Sequence, residues 1–172
     1  MIKALFLMMA MVISVTGCKS ETITIEDDDI QVMPNEMPKD FNFSLQFGFY
    51  KRNEINTFEG TVTKDLIEDG TTTIKLSLTT EEMKDIYTKM KEINITGSKE
   101  LIPDTNCMQQ PHEEDEWEIR INHETINHYI SGSYCKTTND AKEFYKLRNY
   151  IHRVVRSKEE YKNLPKAQGG YE

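Results

Sequence analysis

Phe41-Asn42-Phe43-Ser44-Leu45-Gln46-Phe47-Gly48-Phe49 places an apolar side chain at every second position. A period of two is the pattern of a strand with one face buried and one face solvated. The apolar set is aromatic and aliphatic, as expected for the floor of a core. The stretch therefore predicts an antiparallel sheet with one covered face, and the rest of the domain is read against it.

On its C-terminal side, Lys51-Arg52-Asn53-Glu54 reads as a turn and Ile55 to Leu66 as the second strand, with Phe58, Val62 and Leu66 on one face. A four-residue turn sets Phe47 opposite Phe58 and Phe43 opposite Val62. A slip of one residue would turn every side chain over. Thr71 to Leu78 is the third expected strand, with Ile74, Leu76 and Leu78 inward. A three-residue loop, Glu68-Asp69-Gly70, pairs Val62 with Leu76 and gives Gly70 the left-handed position.

Thr79-Thr80-Glu81-Glu82 is a capping box, so a helix follows. Met83, Ile86, Tyr87, Met90 and Ile93 recur at helical spacing, and Gly97 lies past the end. Residues 98–116 read as a long solvated loop containing His112-Glu113-Glu114-Asp115-Glu116. No pair of ligands there has the spacing of a metal motif, so no metal is assigned.

Trp117-Glu118-Ile119-Arg120-Ile121 and Ile126-Asn127-His128-Tyr129-Ile130 alternate again. A turn at His123-Glu124 pairs Ile121 with Ile126 and Ile119 with His128. His128 then faces the apolar side, as a core or sheet-edge histidine. Thr138 or Asn139 caps a last long helix to about Arg156, with Phe144, Leu147, Ile151, Val154 and Val155 as its stripe. Ser157 to Glu160 reads as a second capping box, and a short helix ends at Leu164-Pro165. Lys166 to Glu172 reads as a disordered tail.

These elements predict one α+β domain, residues 41–165, with a five-stranded antiparallel sheet in the order β-β-β-α-β-β-α and both helices on one face. The other face carries Thr61, Thr63, Thr73, Lys75, Arg120, Asn127 and Tyr129. Of these, Arg120, Asn127 and Tyr129 are the candidate binding residues.

The N-terminus decides where the domain sits. Lys3 precedes the apolar run Ala4 to Val15, which is too short for a spanning helix of roughly 20 residues. A charged start, a short apolar segment and small residues before a cut form the signal-peptide pattern. Val15-Thr16-Gly17-Cys18 closes the run and resembles the lipobox of bacterial lipoprotein precursors. The resemblance implies removal of residues 1–17 and acylation of Cys18 with chains such as palmitate. Two or more acyl chains anchor stably where one does not. The expected location is the extracytoplasmic face of the cell membrane.

Residues 18–40 read as a flexible tether with an acidic run, Glu26-Asp27-Asp28-Asp29. That run lacks the glycine turn and distal glutamate of a calcium loop. The chain charge is −8 and becomes one unit more negative when Lys3 leaves with the signal. Such a balance argues against nucleic acid as a partner. Cys107 and Cys135 remain after lipidation, and export permits a disulfide between them; two free buried thiols are the alternative.

The chain carries no Gly-x-Ser-x-Gly, no glycine-rich phosphate loop and no His-Glu-x-x-His. No catalytic residue, cofactor or metal is expected. The segments Asn56 to Leu66, Leu78 to Tyr87 and Tyr161 to Pro165 resemble small uncharacterised lipoproteins and secreted proteins of Bacillus-like Firmicutes. That resemblance implies no activity and transfers no functional residue. The leading expectation is a membrane-anchored module that binds an extracytoplasmic protein or ligand. An inhibitor or immunity-type lipoprotein is the alternative, and a hydrolase built on residues 112–116 and His128 is a third.

Overall fold

The computed structural model describes residues 32–171. The expected signal segment, Cys18 and the first part of the expected tether lie outside the described residues. The chain forms β1 (Asn42–Gly48), β2 (Asn53–Asn56), β3 (Thr61–Ile67), β4 (Gly70–Lys75), α1 (Thr80–Glu92), β5 (Glu114–Ile121), β6 (Glu124–Ser131), α2 (Asn139–Ser157) and α3 (Glu159–Lys162). It is α+β, with one antiparallel sheet in the order β4-β3-β2-β1-β5-β6.

The sheet has six strands where the sequence pattern predicts five. The expected second strand is two strands joined by a turn at residues 57–60. Local hydrogen bonds cause the break. The Glu59 amide donates to the Asn56 side-chain oxygen three residues back (3.1 Å), and Gly60 takes φ +62°. Phe58 is therefore a turn residue and does not face Phe47. The observed pairs are Phe47 with Asn53, Leu45 with Ile55, and Ile55 with Val62.

The β3–β4 hairpin also departs from expectation. Ile67 pairs with Gly70, leaving a two-residue loop, and a bulge lies between Asp65 and Ile67. Without the bulge that loop would turn Val62 to the wrong face. The extra residue restores parity and sets Val62 opposite Ile74 rather than Leu76.

In the β5–β6 hairpin the turn residues are Asn122 and His123, with φ of 51° and 67°. Left-handed conformation at both positions matches the twist of two-residue hairpins. The Asp40 carboxylate accepts both turn amides, from Asn122 (3.2 Å) and His123 (2.6 Å). Those bonds, chiefly the one from His123, hold the Asp40 carboxyl below its usual pKa. The register is two residues off the expected one, with Ile119 opposite Ile126 and Trp117 opposite His128. A shift of two preserves the faces.

Both long helices begin where their caps predict. Glu82 and Thr79 form the reciprocal capping box, and the Thr138 hydroxyl accepts from the Ala141 amide (3.1 Å). The second expected box is not formed: the Ser157 hydroxyl donates to the Val154 carbonyl (2.7 Å) instead. The helices bury Ile86, Met90, Phe144, Leu147 and Ile151 against Phe43, Leu45, Trp117 and Ile119 in a single core.

The packed chain extends beyond 41–165 at both ends. Met33 is 3% exposed in the core, and the Tyr87 hydroxyl donates to the Pro34 carbonyl (2.8 Å). Val32 and Met33 sit beside Ile121, Asn122 and Ile126. The tail is ordered through Tyr171: Gln168 bridges to Ile67, and the Tyr171 ring stacks on Phe49 (4.5 Å).

Candidate functional site

The strands' alternation gives the sheet two chemistries. β5 shows this most clearly: residues 114–116, which the sequence pattern predicts as part of a solvated loop, are the start of that strand. Its inward side chains are Asp115, Trp117, Ile119 and Ile121, all buried. Its outward ones are Glu114, Glu116, Glu118 and Arg120. Cross-strand pairing sets Glu54, Gln46, Glu116 and Tyr129 in one row across the outer face. Asn56, Ser44, Glu118 and Asn127 form the next. Among the described residues, both long helices lie on the opposite face, so this lattice of amides, hydroxyls and carboxylates is uncovered.

Arg120, Asn127 and Tyr129 are all exposed on this face, as their parity predicts. They do not form one tight cluster. Arg120 stands two rows from Tyr129 and lays its guanidinium over the Phe58 ring (4.9 Å). Tyr129 donates its hydroxyl to Glu114, which pushes its own pKa up. Lys51 pairs with Glu116 and lies 5.9 Å from the Tyr129 ring centre. Gln46, Glu118 and Asn127 make no side-chain hydrogen bond or ion pair among the described residues.

At the Gly48 end this face opens into a recess of about 400 Å³ lined by Phe49, Tyr50, Gln110, Pro111, His112 and Glu114. One wall is the turn of residues 48–52, where Gly48, Tyr50 and Lys51 have φ of 89°, 55° and 55°. A left-handed aromatic residue is uncommon, and here it leaves the Tyr50 ring 74% exposed. The other wall is residues 107–112. It is pinned by the Cys107–Cys135 disulfide (Cα–Cα 5.4 Å) and by Gln109, whose amide and side chain donate to the Ser133 and Gly132 carbonyls. His112 Nε2 lies 3.9 Å from Glu114.

No family model and no curated protein matches this chain. The site's chemistry must therefore be read from its own geometry.

Beneath the recess, across the sheet, Asp115 is fully buried between Phe47 and Ile130. Arg148 on α2 donates to Asp115 (2.8 Å) and to Glu113 (2.9 Å), and its guanidinium lies over the Tyr145 ring (5.0 Å). Burial pushes the Asp115 carboxyl up to about 6 despite the cation beside it. His152 is pushed down to about 4, again by burial, and its Nε2 lies 3.3 Å from the Tyr161 hydroxyl. These groups join helix to sheet.

The hydrolytic alternative needs residues 112–116 and His128 to converge. They do not. Glu114 is on the outer face beside His112, while His128 is on the inner face, bonded to the Ile95 carbonyl (2.7 Å) and edge-on to Phe144 (4.9 Å). Burial also lowers its pKa, which fits a neutral core histidine. Among the described residues, no group of three or more His, Cys, Asp or Glu side chains is placed to hold a metal ion.

Proposed function

We propose that the protein is a lipid-anchored extracytoplasmic binding module, held at the membrane through Cys18, that contacts an exported protein through its outer sheet face. The observation that supports this is the uncovered face itself, on which Gln46, Glu118 and Asn127 stand without internal partners beside exposed Tyr129. No helix of the described residues is long and apolar enough to cross a membrane. The lipobox at Val15-Thr16-Gly17-Cys18 supplies the anchor in this reading. A tethered domain meets membrane-proximal partners at high effective concentration, so modest contacts suffice.

Two results test it. Cys18→Ala should leave the precursor uncleaved at this site and free of lipid label in cells fed a tagged fatty acid. Normal label incorporation would refute the anchor. Changing Asn127 and Tyr129 together to Ala should shift folding stability by less than about 1 kcal/mol, as exposed substitutions do. The same variant should reduce capture in crosslinking from the outer face. Unchanged capture would refute the face.

A further inference from the structure

We propose that the occupant of the outer face is a basic protein segment, one of whose lysine or arginine side chains enters the recess between Tyr50 and Glu114. This rests on the reading of the face as a binding surface and adds the chemistry of what it binds.

Charge complementarity carries the first step. Glu54, Glu114, Glu116 and Glu118 all point outward from the middle strands. Two cations of this face are already engaged: Lys51 pairs with Glu116, and Arg120 lies on Phe58. Glu118 is left with no partner among the described residues. Alternate residues of a strand are about 6.8 Å apart. The β5 carboxylates therefore match an extended segment with basic side chains at every second position. An uncharged ligand would leave Glu118 uncompensated and would not use the second oxygens of its paired neighbours.

The recess carries the second step. Aromatic faces attract cations, and this corner of the fold already uses that attraction. Arg52 lies 5.7 Å from the centre of Tyr50 and 5.9 Å from that of Tyr171, while Lys51 lies on Tyr129. Tyr50 remains 74% exposed. Glu114, on the opposite wall, takes one hydrogen bond from Tyr129, and a carboxylate has room for more. A ring and a carboxylate facing one recess suit an ammonium or guanidinium group better than a hydroxyl.

The test is a titration of the full chain with decalysine, followed by residue-resolved NMR and repeated at two salt concentrations. A neutral N-acetylglucosamine oligomer serves as the second probe. Decalysine should shift the signals of Tyr50, Glu114 to Glu118 and Tyr129, and its affinity should fall as salt rises. Glu116→Gln with Glu118→Gln should weaken it by about tenfold or more, within the range of close charge pairs at interfaces. Glu81→Gln with Glu160→Gln, away from this face, should leave it unchanged. Decalysine signals confined to other surfaces, or glycan binding at the face without decalysine binding, would overturn the basic-partner assignment while leaving the face as the binding surface. A partner crosslinked through a different surface would overturn both.

Discussion

Replacing Arg148 with methionine should lower folding stability at neutral pH by about 3–5 kcal/mol, the range for breaking a buried ion pair by removing one partner. Methionine keeps much of the apolar stem that packs near Phe47 and Tyr145, so the loss reports charge rather than volume. What remains is Asp115, fully buried, with no countercharge inside the core. The pH dependence separates this from a packing defect. In the native chain Asp115 titrates at about 6, above the ordinary 3.8. Its contribution to stability is therefore fully present below pH 3.8 and is lost as pH rises through 6. Near pH 5 the carboxyl is mostly protonated and has little need of Arg148. Urea unfolding should show a clearly smaller loss at pH 5 than at pH 7. A loss that is the same at both would refute the electrostatic account. Adding Asp115→Asn to the Arg148 variant should recover part of the stability at pH 7, because the stranded charge is gone.

Changing Cys107 and Cys135 together to serine should cost about 3–4 kcal/mol in the chain-entropy account of a crosslink of this span. The crosslink spans 28 residues and encloses the whole β5–β6 hairpin. It also ties the wall of the recess to the segment that leads into α2. The serine variant should therefore lose order first around residues 107–112, seen as faster amide exchange there than in β5. In the native protein both thiols should resist alkylation until a reductant is added. Full alkylation without reductant would show that the bond does not form in the native protein.

The sequence made the faces legible and the registers less so. Alternation in 41–49 and 117–130 assigned Phe43, Leu45, Trp117 and Ile119 to the core correctly, because parity survives a register error of two. The capping box at Thr79 located α1 for a local reason, since both its partners lie within four residues. The missed turn at 57–60 depends on Asn56 bonding to the Glu59 amide, while Phe58 mimics a core position in any periodic count. The start of β5 was hidden by its charge. Asp115 reads as solvated until Arg148, 33 residues away, is known to lie above it. The packing of Met33 and Tyr171 is hidden for the same reason, since the Pro34 carbonyl and Asp65 meet partners 53 and 106 residues distant. Arg120, Asn127 and Tyr129 could be placed on one face from parity alone. The recess could not, because it brings residues 49–50 together with residues 110–114 at the shared end of β1 and β5, which no local pattern announces.

The position of Val32 gives the domain a direction. The described chain enters beside Ile121, Asn122 and Ile126, at the turn end of β5. The recess lies at the other end of that strand, about 24 Å away at the usual rise per residue. In the proposed anchoring through Cys18, the sheet is held by its Asn122 corner, and the recess faces away from that attachment at the far end of β5. Under that same proposal, lengthening or shortening the segment before Val32 changes the reach of the recess and leaves its own chemistry untouched.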